Sequence, residues 1–150
     1  MAQYQPKLPK LNLAVQYAVA TRGLPSRTQF RRWVRAALEA DAAIALRVVG
    51  EAEGRTLNRS YRKKDYATNV LTFVFRERAP FEGDLALCAP VVANEARAQK
   101  KTLAAHYAHL TVHGVLHLQG YDHEKAADAR VMEARESALM VKLGYADPYR

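Results

Sequence analysis

The sequence predicts an α+β fold: a small, mixed, four-stranded sheet with about five helices packed on it. Three observations predict it. Segments with strand period and segments with helical period alternate as far as Cys88. Everything after Pro90 reads as helix, apart from turns and a short tail. No repeat, low-complexity run or linker interrupts the chain, so residues 1–150 are expected to form a single domain.

The elements follow in order. Residues 11–19 alternate Leu11, Leu13, Val15, Tyr17 and Val19 with small or polar neighbours, a strand period closed by Arg22-Gly23-Leu24-Pro25. Ser26 is an N-cap with Gln29 completing a capping box. Its helix runs to Ala40 with Phe30, Val34, Ala37 and Leu38 as apolar stripe and Trp33 at the stripe's edge. Ile44–Val49 is a second strand, closed by Gly50. Glu51–Tyr61 is a short helix with acidic residues in its first turn. Val70–Phe75, β-branched and aromatic, is the third strand. Residues 76–83, with Pro80 and Gly83, read as a loop before a short fourth strand, Leu85–Cys88. Pro90 suits the first position of a helix reaching Lys101. Thr102 caps a helix over Leu103–Gln119, and a last helix runs from beyond His123 to Leu143, where Gly144 stops it.

Composition narrows the classes. Hydrophobic content of 49% and charged content of 25% suit a soluble globular domain. No apolar run approaches the roughly 18–20 residues of a membrane span, so no membrane partner is expected. Met1–Lys10 lacks the apolar core of a secretory signal. The single Cys88 has no internal disulfide partner and reads as a small core hydrophobe, consistent with a reducing cytoplasm. Lysine and arginine number 23 against 15 acidic residues, a net charge of +8 that favours polyanions, nucleic acid above all. The charge is clustered: Arg55, Arg59, Arg62, Lys63 and Lys64 form one group, and Arg97, Lys100 and Lys101 another.

Three of the five histidines fall at His113, His117 and His123. His113 and His117 share one helix face, where both imidazoles can reach one cation at about 2.0–2.1 Å. Gly120 stands where a left-handed residue ends a helix, so the chain can reverse and return His123 to the pair. Three ligands and an open fourth position are the form of a catalytic zinc site, with one zinc per chain. The spacing is that of one class of zinc peptidases, except that Gly114 replaces the glutamate that acts there as general base. His109 lies on the same stripe and can pair with His113, but only His113 with His117 gives Gly120 and His123 a role. His106 lies off the stripe.

The motif His113-Gly114-x-x-His117-Leu118-x-Gly120-Tyr121-Asp122-His123 resembles the signature of the YbeY family of bacterial endoribonucleases. Leu57-Asn58-x-x-Tyr61-Arg62, Asp65, Thr68-Asn69-Val70-Leu71-Thr72-Phe73 and Gly83-Asp84-Leu85 resemble two further family blocks. Thr72 stands where many members carry serine and keeps the hydroxyl. The resemblance implies an α+β sheet related to the zinc peptidases. It implies a zinc-dependent RNase in ribosomal RNA maturation, chiefly at the 3′ end of the small-subunit RNA, and in ribosome quality control. RNA and ribosome or small-subunit assembly proteins are the implied partners, with no DNA. It further implies zinc on His113, His117 and His123 and a functional arginine at Arg62.

The chemistry is consistent with this. Zinc with an open position lowers the pKa of bound water to about 7 and polarises a phosphoryl oxygen. Arg62 can meet phosphate bidentately as charge develops. Arg55, Arg59, Lys63 and Lys64 are candidate RNA contacts. Gly114 supplies no base, which leaves Asp122, Glu124 or Asp84 as base or as orienters of a ligating imidazole. Either water or the RNA 2′-OH can be the nucleophile. Two other readings compete: a zinc peptidase-like hydrolase, opposed by the missing glutamate and the charge, and a non-catalytic ribosome-assembly factor with structural zinc, in which His109 or Asp122 would close the site.

Overall fold

The computed structural model describes residues 7–150. Met1–Pro6, part of the segment read as lacking a secretory signal, lies outside the described residues. Among the described residues nine elements run β1 (Leu11–Tyr17), α1 (Arg27–Ala37), β2 (Ala42–Val49), α2 (Glu51–Arg62), β3 (Val70–Arg76), β4 (Phe81–Cys88), α3 (Ala89–Ala98), α4 (Leu103–Leu118) and α5 (Ala126–Lys142). The sheet has the order β1-β2-β4-β3. β1, β2 and β4 are parallel, and β3 is the antiparallel edge, bulged between Val74 and Arg76. The α+β class, the mixed four-stranded sheet and the five helices match the expectation.

Strand alternation decides which face carries the helices. Ile44, Leu46 and Val48 of β2 are buried, and so are Leu85 and Leu87 of β4, on the face against α1 and α4. The core between them is aromatic. Phe30 lies edge-on to Trp33 at 5.5 Å and to Tyr107 at 5.9 Å. Trp33, expected at the stripe's edge, is inside it at 1% exposure. The Ser26–Gln29 capping box forms in both directions, at 3.2 and 2.9 Å.

β1 closes at Tyr17 and not Val19, β2 begins at Ala42 and not Ile44, and α3 ends at Ala98 and not Lys101; two further boundary differences are explained by packing. β4 begins at Phe81, so residues 81–83 are strand and only Glu77–Pro80 turns. Gly83 is there for contact: an added Cβ would stand 2.4 Å from both Leu118 Cδ1 and the Phe73 carbonyl oxygen. α1 stops at Ala37 because a distant side chain caps it. Gln119 Oε1 accepts from Glu39 N at 2.7 Å, and its Nε2 donates to Ala37 O at 2.8 Å. That cap ties the end of α1 to the turn that follows the histidine helix.

Candidate active site

α4 crosses the sheet as a nearly all-buried helix, capped by Thr102 Oγ1, which accepts from Ala105 N at 3.1 Å. Gly114 lets it approach. A Cβ at this position would lie 2.4 Å from Leu85 Cδ2, where carbons need about 3.5–4.0 Å. The position of the peptidase glutamate therefore has no room for a side chain in this packing.

The helix ends as Gly120 requires. Gly120 has φ +101° and donates to His117 O at 3.0 Å, and Tyr121 N donates to Leu116 O at 3.1 Å. The chain reverses and brings the His123 ring to 5.3 Å from that of His113 and 5.9 Å from that of His117, centroid to centroid. Asp122 fixes the turn: its Oδ1 accepts from His123 N at 2.7 Å and Glu124 N at 3.2 Å. Those two bonds hold the Asp122 carboxyl below the usual carboxylate range. An acid so stabilised is a weak base.

Two of the imidazoles are oriented from behind. His117 Nδ1 lies 3.1 Å from the Tyr121 carbonyl, and His113 Nδ1 lies 3.3 Å from Glu136 Oε2. Both acceptors call for a proton on Nδ1, which leaves Nε2 of each ring with its lone pair. Glu136 of α5 is 1% exposed. Burial pushes its pKa up, but the hydrogen bonds from His109 and His113 outweigh burial and bring it down to about 2. His109 is thereby engaged by Glu136 Oε1, at 2.6 Å. His106 bonds Glu95 at 2.8 Å, and Glu95 also holds Asn69 at the start of β3.

Arg62 is the last residue of α2. Lys63 follows in the left-handed region at φ 58°, and Asn58 Nδ2 ties the turn to Tyr66 O at 2.7 Å. Tyr61 packs on Phe73 of β3, with centroids 4.5 Å apart. Arg62, Tyr61 and Thr72 thus line one cleft of about 290 Å³ with His113, His117, Asp122, His123 and Glu124.

Other candidates lie elsewhere. Arg55 makes a bidentate pair with Asp65 at 2.8 and 2.9 Å, and Arg59 stands 3.7 Å from the same carboxylate. They, Lys63 and Lys64 are exposed on α2 and its following turn and do not line the cleft. Asp84 is a strand residue. Its neighbour Gly83 faces α4, so Asp84 points to the opposite sheet face, beside Asn12 and Ala45. Burial there raises its pKa. The fold does not bring it to the histidines.

The sequence reading missed Glu136 and the Tyr121 carbonyl. Glu136 had a signal: it sits in the buried α5 stripe with Met132, Leu139 and Met140, an acid where the helical period calls for an apolar residue. A backbone carbonyl leaves no trace in residue type.

Imidazoles are donors of a type that suits a metal. Among the described residues no three His, Cys, Asp or Glu groups stand closely enough together to hold one as the side chains are placed. His123 is 52% exposed on its loop. His113, His117 and His123 line one open cleft and are the residues that could hold a metal there, with a further position left for water or substrate.

A family model described as Endoribonuclease YbeY matches residues 20–144, a span that ends before Tyr145–Arg150. The Endoribonuclease YbeY of Nitrosospira multiformis is 57% identical, over 97% of this chain and 85% of that protein. That of Methylobacillus flagellatus is 58% identical over 95% of each. That of Thiobacillus denitrificans is 58% identical over 94% of this chain and 97% of its own. The solution structure of a Thermotoga maritima protein superimposes with a TM-score of 0.58 at 23% identity, over 92% of this chain and 99% of that one, a likeness of fold. Among the described residues no helix is long and apolar enough to cross a membrane.

Proposed function

The chain belongs to the YbeY family of endoribonucleases, and on that premise we propose that it cuts single-stranded segments of ribosomal RNA at the histidine cleft, with zinc on His113, His117 and His123. One juxtaposition carries the reading. Arg62, at the end of α2, lines the same cleft as three histidines that follow it by about fifty residues in the sequence. A cation and a set of imidazoles on one cleft suit a phosphodiester, whose oxygens gain charge in the transition state.

Zinc bound there supplies Lewis-acid polarisation of a phosphoryl oxygen and activation of water. The chain's own residues do the rest. Arg62 binds the scissile phosphate and offsets its growing charge. Asp122 holds the His123 turn, and its two backbone bonds spend its basicity. Glu124 makes no side-chain hydrogen bond or ion pair among the described residues and lines the cleft, so it is the carboxylate placed to take a proton. Arg59, Lys63 and Lys64 extend the positive surface along the turn after α2 and hold neighbouring phosphates. The substrate is maturing small-subunit RNA at its 3′ end, met in the cytoplasm on assembling or defective ribosomes with assembly proteins as guides. The packing of Gly114 on Leu85 speaks against a peptidase-like mechanism, which needs a base at that position.

The test is metal content with paired substrates. Purified protein should carry one zinc per chain, and His117→Ala should lose it. Zinc-loaded protein should cut a single-stranded RNA and leave casein intact, and a chelator should abolish the cut. Stoichiometric zinc with no RNA cleavage would overturn the assignment in favour of a structural site.

A further inference from the structure

Glu136 is a charged side chain in a core position, and its surroundings say what it is for. A buried carboxylate is tolerated only when its oxygens are bonded. Oε1 accepts from His109 Nε2 at 2.6 Å and from the Tyr149 hydroxyl at 2.9 Å, and Oε2 accepts from His113 Nδ1 at 3.3 Å. Three donors from two separate stretches of chain converge on one group. His109 and His113 come from α4, and Tyr149 from the segment beyond α5.

That segment is tied down. Asp147 Oδ1 accepts from Ser137 Oγ at 2.8 Å and from Tyr149 N at 2.9 Å. Tyr149 then crosses His109 edge-on, with centroids 5.5 Å apart, and sends its hydroxyl to Glu136 while its ring stays half exposed. His109 Nδ1 is buried without a partner, so the bond to Glu136 is that ring's one side-chain commitment. A histidine bonded at Nδ1 has one tautomer and one ring orientation, and such outer partners raise ligand basicity.

We propose that the tail is part of the metal site: Tyr149, held by Asp147, fixes the Glu136 carboxylate, which keeps the His113 proton on Nδ1 and its Nε2 toward the cleft. Glu136 and Tyr149 are positioning residues. The proposal rests on the reading of His113 as a ligand. Tyr149 lies beyond the residues matched by the family model.

The experiment measures zinc affinity by competition with a chromophoric chelator, for wild type, Glu136→Gln, Tyr149→Phe and His117→Ala. Nitrogen NMR of the metal-free wild type, its imidazoles labelled, reads the His113 tautomer. Glu136→Gln should weaken zinc by about 10–100-fold, the scale for outer partners of a ligating histidine. Tyr149→Phe should weaken it by a smaller factor, and wild-type His113 should carry its proton on Nδ1. Circular dichroism and melting confirm folding. If Glu136→Gln does not fold, Tyr149→Phe carries the test, since it removes only one hydroxyl. Wild-type zinc affinity in folded Tyr149→Phe, even with a lower melting temperature, would make the tail merely structural and overturn the proposal. So would a His113 proton on Nε2. Failure of the metal reading has a different signature: wild type and His117→Ala would bind zinc equally or not at all, and the tautomer alone would then decide whether the clamp exists.

Discussion

Gly114→Ala should destabilise the protein even though alanine is the better helix former. The new Cβ would stand 2.4 Å from Leu85 Cδ2, about 1 Å short of carbon–carbon contact. Leu85 is 1% exposed, pinned between Leu46 of β2 and Thr72 of β3 in the sheet. It has little space to rotate, so α4 or β4 must shift. Overpacking of this kind costs about 1–3 kcal/mol, and removing a mid-helix glycine returns about 1 kcal/mol. The net loss of up to about 2 kcal/mol lowers Tm by up to about 4–8 °C for a chain of this size. The assay is a double-mutant cycle by thermal and urea unfolding with Leu85→Ala. Leu85→Ala alone costs about 2–5 kcal/mol, but in that background the clash is gone and Gly114→Ala should turn stabilising. The coupling should therefore exceed about 1 kcal/mol. A rise in Tm for Gly114→Ala in the wild-type background, with no coupling to Leu85, would refute the close approach of helix and strand.

Two further outcomes follow from the same geometry. Glu136 has a folded pKa of about 2 against an ordinary 4.5. A depressed carboxyl contributes stability above its unfolded value and loses it as pH falls through the folded one. The metal-free protein should lose on the order of a few kcal/mol between about pH 4.5 and 2, and Glu136→Gln should lack that part of the acid slope in urea titrations. Gln119→Ala removes the bonds to Glu39 N and Ala37 O, which should cost about 1–3 kcal/mol. Calorimetry should show the lower Tm, and an unchanged Tm would mean that water caps α1 equally well.

Much of the fold was legible in local signals. The Ser26–Gln29 box and the left-handed Gly120 are each written in a few adjacent residues and formed as expected, and the strand period of residues 11–19 formed as far as Tyr17. The close of α1 was not legible, because its cap is the Gln119 side chain from the far end of α4. Gly83 read as a turn because glycine marks turns and close contacts alike, and only the packed Leu118 and Phe73 tell which. At the site, the histidine spacing identified the cluster because its geometry is local to one helix and one turn. That Arg62 shares the cleft, and that Asp84 does not, depends on the path of the chain between them. For Asp84 a one-residue step in strand register decides the face. Glu136 was readable as an acid in an apolar stripe, but its partners on α4 were not.

The central claim is that Arg62 and the three histidines act together on RNA. Single-turnover cleavage of a single-stranded RNA by zinc-loaded Arg62→Ala at saturating protein tests it most directly. The account predicts intact folding and zinc content, little change in RNA affinity, and cleavage slower by about 10²–10³-fold, the effect of removing one preorganised charge-stabilising group. Arg62→Lys should recover only part, because an ammonium lacks the two-point contact. Wild-type cleavage by the folded, zinc-loaded Arg62→Ala protein would contradict the account and leave Arg62 a bystander at the edge of the cleft.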